Sequence, residues 1–136
     1  MTCAALCGLA LGCGGRGGGD LVKVKGRLTN AGQPLTVRGQ DVGLGVIELG
    51  FYRMPDNGPQ STDPESARLE ADGRFTVPGR NGQGISPGKY RIVVRQWDPF
   101  PDFDKLKGQF DAEHSSIVRT ITGNEEVLID VSKPEG

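Results

Sequence analysis

Three groups of side chains in this chain could do chemistry, each of a different kind. Cys13 follows the short apolar run Leu9-Ala10-Leu11-Gly12 and precedes a glycine-rich stretch. A thiol at such a junction suits covalent acylation, since export signals end on a small residue just before the cut. The carboxylates Asp98, Asp102 and Asp104, with Asp111 and Glu113 after them, crowd one segment. Calcium accepts oxygen donors from irregular loops, so Asp98, Asp102 and Asp104 are candidate metal ligands. Trp97, Phe100, Phe103 and Phe110 interleave with the same acids. Rings beside acids can stack on sugar faces while the carboxylates bond to hydroxyls. These four aromatics are therefore the candidate ligand-binding residues of a loop spanning 97–113. The alternative is that the acids are a solvated cover and the rings pin a long connection onto the domain.

Other chemistries lack their parts. The one histidine, His114, sits in Asp111-Ala112-Glu113-His114-Ser115-Ser116. Neighbours in an extended chain point to opposite faces, so adjacency does not assemble the three converging groups of a serine–histidine–acid relay. Zinc wants about four nitrogen or sulfur ligands, and one histidine without cysteine cannot supply them. Cys3, Cys7 and Cys13 match none of the usual zinc or iron–sulfur spacings. The acids do not follow the EF-hand pattern of a central glycine and a terminal glutamate. Charge is balanced, with 16 basic and 17 acidic residues, which excludes nucleic acid as a partner because phosphate binding needs a concentrated basic surface. No nucleophile, metal cluster or carboxylate pair stands out, and the expectation is that the chain is not an enzyme.

The amino terminus sets the expected location. Ala4, Ala5, Leu6, Leu9, Ala10 and Leu11 form an apolar run shorter than the about 20 residues that span a bilayer. With Gly12 ahead of Cys13, the junction resembles a bacterial lipobox, whose cysteine is acylated and becomes the new amino terminus. The resemblance implies a signal peptide over 1–12 and a membrane anchor at Cys13. From 14 to 19 the chain is glycine interrupted only by Arg16, the composition of a spacer that buries nothing. The expected organisation is thus 1–12 signal peptide, 13–19 lipidated cysteine and linker, and 20–136 one folded domain. The protein would be exported and lipid-anchored to the cell envelope, at the outer membrane or cell surface.

That domain reads as all-β, because period-two alternation recurs throughout and no helical stretch does. Val22, Val24 and Leu28 alternate with Lys23, Lys25 and Arg27. This basic stripe suits an edge strand, where charge blocks aggregation; contact with anionic lipid near the anchor is the alternative. Asn30-Ala31-Gly32-Gln33-Pro34 is a turn, and 42–52 is β-rich, with Ile47, Leu49 and Phe51 on one face. Residues 54–65 are a loop, Asp72-Gly73 a hairpin signal, and Phe75 and Val77 its return. Tyr90, Ile92 and Val94 face one way, Arg91, Val93 and Arg95 the other. The last pair, 117–122 and 127–131, is separated by Gly123-Asn124. About seven short strands between glycine and proline turns predict a single antiparallel β-sandwich.

Glu70-Ala71-Asp72-Gly73-Arg74-Phe75-Thr76-Val77, followed by Ile85-Ser86-Pro87-Gly88-Lys89-Tyr90-Arg91-Ile92-Val93-Val94, resembles carboxypeptidase regulatory-like domains. Val24-Lys25-Gly26-Arg27-Leu28 and Gly32-Gln33-Pro34-Leu35 resemble the same family's opening. The resemblance covers 22–94 and implies a transthyretin-like sandwich with Phe75 and Tyr90 in one core. Its motifs are structural, so they specify the fold more closely than the function. The leading functional expectation is a non-catalytic, lipid-anchored envelope domain for interaction or structure, with an envelope protein or glycan as partner. The runner-up is a carbohydrate- or ligand-binding module using the loop 97–113.

Overall fold

The structure is a computed structural model that describes residues 20–123 and 125–135. The expected signal peptide, Cys13 and the glycine linker lie outside the described residues. Nine strands follow in chain order: β1 (Val24–Asn30), β2 (Gln33–Pro34), β3 (Val46–Arg53), β4 (Glu65–Ser66), β5 (Arg68–Leu69), β6 (Arg74–Val77), β7 (Gly88–Trp97), β8 (Val118–Ile121) and β9 (Val127–Asp130). They form two sheets. One has the path β2-β1-β6-β5 with β9 added on β1, and the other runs β4-β3-β7-β8. Apolar side chains from the inward faces of both meet in one core, which makes the domain the expected all-β sandwich.

Alternation explains most of that core. Val24 and Leu28 of β1, Leu49 and Phe51 of β3, Phe75 and Val77 of β6, and Tyr90, Ile92 and Val94 of β7 are all buried. Phe51 joins the two signature aromatics, its ring 6.0 Å from Phe75 and 6.1 Å from Tyr90. The Tyr90 hydroxyl donates to the Ser86 carbonyl at 2.6 Å, so its polar end is satisfied inside the core. At the β1–β2 turn, Ala31 and Gly32 both take positive φ, 53° and 85°, the backbone that two-residue hairpins favour.

Three features depart from the alternation pattern. Val42 belongs to a short 3₁₀ turn, Gln40–Val42, closed by Gly39 and Gly43 with φ of 66° and 79°; β3 begins only at Val46. Next, β1 is an edge over only part of its length. It pairs with β6 along Val24–Arg27 and, in parallel, with β9 along Gly26–Thr29. Arg27 therefore guards no edge, while Lys23 and Lys25 precede the β9 ladder. Finally, β8 and β9 are not partners. β8 pairs with β7 while β9 crosses to the opposite sheet beside β1. Asp130 holds that crossing: its carboxylate accepts the backbone N–H groups of Ala31, Gly32 and Ser132, each at 2.9 Å, and the Thr29 hydroxyl at 3.0 Å.

The two ends of the sandwich differ. The chain enters beside the 78–87 loop, where Val22 bridges Ile85 and Val24 faces Val77. From that loop β7 runs ten residues to Trp97, about 33 Å at the usual rise per residue. The long β7–β8 connection thus starts at the end remote from the point of entry.

Candidate functional site

The remote end is built from two loops, 35–45 and 98–116. They are stitched together by a backbone bond from Phe100 N–H to the Leu44 carbonyl at 2.8 Å. Asp98 adds a charge link. Its side chain is 9% exposed and lies 3.3 Å from Arg38 Nε and 3.8 Å from Lys105 Nζ. The peptide bonds Asp98-Pro99 and Phe100-Pro101 are cis.

The four candidate aromatics have separate roles. Trp97 is partly buried and fully engaged: its Nε1–H donates to Glu48 Oε1 at 3.0 Å. The Arg95 guanidinium sits 5.7 Å from its ring centre, and Phe100 meets it edge-on at 6.0 Å. Each contact contributes about 0.5–1.5 kcal/mol, which makes Trp97 a pillar under the loop. Phe110, expected in the ligand-binding set, is a core residue at 2% exposure. Its carbonyl accepts the Val94 N–H at 3.0 Å, so the chain there lies along β7 and turns the ring inward. Only Phe100 and Phe103, about half exposed, present open ring surface.

The acids are likewise divided. Asp104 accepts the backbone N–H groups of Gln96, Leu106 and Gly108 at 2.9–3.0 Å, which folds the loop back on β7. Asp98 pairs with cations, and Asp102 is exposed. Among the described residues no three histidine, cysteine, aspartate or glutamate side chains converge where a metal could be held, so Asp98, Asp102 and Asp104 form no common ligand set. Burial works against the charged form of Asp111. Hydrogen bonds from the His114 ring and from the backbone N–H groups of His114 and Glu113 outweigh it and hold the carboxyl below its ordinary range. Ser115 is turned away from that pair, with its buried hydroxyl on the Ile92 carbonyl.

The alternation pattern missed half of this surface. Val42 and Leu44, 71% and 63% exposed, lie in the loop joined to Phe100. With Phe100 and Phe103, exposed in the partner loop, they put four large apolar side chains at this tip. The signal was present in Gly39, Gly43 and Gly45, which mark a turn where 42–52 otherwise reads as one strand. Beside the tip, an open cleft of about 390 Å³ is lined by Arg95, Trp97, Asp102, Phe103, Asp104 and Lys107 among others. Concavities of about 330 and 360 Å³ lie elsewhere on the domain, so size alone does not single it out.

Among solved structures, a DUF3823 family protein from Parabacteroides merdae ATCC 43184 is similar to this chain, with 25% sequence identity and a TM-score of 0.47. The match covers 80% of this chain and 45% of that one, so the chain spans less than half of that neighbour's length. No protein-family model matches the chain. No curated protein matches it either.

Proposed function

We propose that this protein is a non-catalytic, lipid-anchored interaction domain of the cell envelope, held by an acylated Cys13 and making contact through its apolar tip. A diverged carboxypeptidase regulatory-like domain is the family reading that accompanies it, resting on the hairpin and Pro87-Gly88-Lys89-Tyr90 motifs. The observation that carries the proposal is the exposure of Val42, Leu44, Phe100 and Phe103 together, at the end remote from the point where the chain enters. Monomeric proteins rarely expose contiguous apolar side chains without a partner for them. An anchor at one end and a contact surface at the other would hold the tip away from the point of attachment.

Two measurements test this reading. Stable attachment takes more than one acyl chain, so the mature wild type should partition into detergent and Cys13→Ser should not. Equal recovery of both from the aqueous phase removes the anchor. A photoreactive residue at position 103 should give a discrete adduct with an envelope component in cells, while one at the exposed Thr120 of β8 should not. Identical adducts from both positions remove the tip.

A second reading, a carbohydrate- or ligand-binding module, is favoured by the cleft next to Phe103. There the acids Asp104 and Asp111 are engaged with backbone N–H groups, while Arg95 Nε is buried with no hydrogen-bond partner among the described residues. Binding of a glycan would raise the thermal midpoint, increasingly with the logarithm of its concentration above the dissociation constant, and Phe103→Ala would remove the shift.

A further inference from the structure

Lys23 and Lys25 precede the stretch of β1 that β9 covers, Gly26–Thr29, but edge protection accounts for no cation beyond β1 itself. The register extends the stripe across the sheet. Lys25 faces Thr76 of β6, and Thr76 faces Arg68 of β5; in the next row Arg27 faces Arg74. Side chains opposite one another share a face, so Lys25, Arg27, Arg68 and Arg74 all project from the outer face, with Lys23 continuing the β1 alternation. All five are exposed. Like charges placed opposite are destabilising unless matched. The upper row is matched, Arg74 by Asp72 at 2.7 Å and Arg27 by Glu126 at 3.7 Å. The lower row is not: Lys23, Lys25 and Arg68 have no ion pair among the described residues. Three cations without an ion pair among the described residues thus share one outer face, at the end where the chain enters.

We propose that this outer face, centred on Lys23, Lys25 and Arg68, docks on an anionic lipid surface. The inference rests on the anchored reading above in one respect, the choice of lipid as the occupant. Lys23 stands ten positions along the chain from Cys13, and a chain of that length reaches at most about 36 Å. An acylated Cys13 would therefore tether these cations within that distance of phosphate headgroups, and tethering raises the effective concentration of a weak second contact. The three charges are spread over two strands, Lys23 and Lys25 along one concavity and Arg68 with Glu65 along another, so a surface of headgroups suits them better than a single small anion. Resting on this face, the domain would project its apolar tip along the membrane, away from the anchor.

The experiment uses the full chain carrying Cys13→Ser, so that no acyl group contributes, and vesicles of phosphatidylcholine with or without phosphatidylglycerol. The protein should sediment with the anionic vesicles at low salt and be released at 1 M salt, where the screening length falls to about 3 Å. Each basic residue near such a surface is worth about fivefold in affinity. Lys25→Glu with Arg68→Glu should therefore lose at least about 25-fold, while Thr120→Ala, on the opposite sheet, should bind as well as its parent. Both positions are solvent-facing, and an unchanged thermal midpoint would verify that the double variant is folded. Equal binding to neutral and anionic vesicles overturns the proposal, as does retention by the charge-reversed variant or absence of vesicle binding. Binding to dextran sulfate without binding to vesicles also overturns it and assigns the face to an anionic polymer. Loss of the anchor is read separately, from detergent partition of the wild type.

Discussion

Gly26 is the residue on which the sandwich tolerates least change. It faces Phe75 on one side and Val127 on the other, since β1 carries β6 and β9 on opposite edges. A Cβ at this position would stand 2.0 Å from the Val127 carbonyl oxygen and 2.6 Å from Phe75 Cζ. Side-chain carbons essentially never come nearer than 3.0 Å to other heavy atoms, so something must move by about 1 Å. The ring could tilt. The carbonyl cannot move without carrying β9 away from β1, where a short parallel ladder, Gly26–Thr29 with Val127–Asp130, and the Asp130 side-chain bonds hold it. Overpacking typically costs about 1–3 kcal/mol, and each ladder bond lost adds about 1 kcal/mol. Gly26→Ala should therefore lose about 3–5 kcal/mol, a large part of the stability of a domain this small. At roughly 4–8 °C per kcal/mol, the thermal midpoint should fall by more than about 10 °C. Urea unfolding followed by the fluorescence of Trp97, the sole tryptophan, measures it. Gly82→Ala is the control: its φ is +74° but a Cβ there meets open space, so it should cost only about 1–2 kcal/mol of backbone strain. A loss under about 1 kcal/mol for Gly26→Ala would refute the packing argument.

Phe75→Ala should cost about 3–5 kcal/mol in the same assay, because the ring is fully buried against Phe51; a loss below about 1 kcal/mol would place it outside the core. Asp130→Asn should cost about 1–2 kcal/mol at neutral pH. The Ser132 side-chain hydrogen bond, then those from the backbone N–H groups of Ala31, Gly32 and Ser132, outweigh desolvation and hold its carboxyl well below the usual range. A lowered folded-state pKa means the wild-type advantage is full above the ordinary carboxylate range. It should disappear as the pH is taken down through the folded-state value, and an advantage that grew on acidification would contradict the assignment.

Local chemistry made much of this protein readable from its residues. The two-residue pleat decides which side chains share a face, so Tyr90, Ile92 and Val94 could be placed together inside without knowing their partners. Turn positions were readable for the same reason: Ala31-Gly32 and Asp72-Gly73 carry their backbone requirement in their own side chains. The candidate site was half legible. Phe100 and Phe103 stood out by type, while Val42 and Leu44 were hidden because apolar residues in a turn read like those in a strand.

What the tertiary structure alone decided is which distant groups meet. Whether Arg27 guards an edge or lies on a central strand depends on β9, about one hundred residues away, and no local pattern carries that information. The same holds for Trp97, a free platform by residue type but a pillar once Glu48, Arg95 and Phe100 close around it. Asp104 is a metal ligand in a list of acids and a backbone clip once the loop folds onto β7. Period and turn chemistry act between near neighbours and survive in the linear sequence. Strand order and side-chain pairing are settled only when the whole core is buried at once, because burial selects among arrangements that each segment alone would tolerate equally.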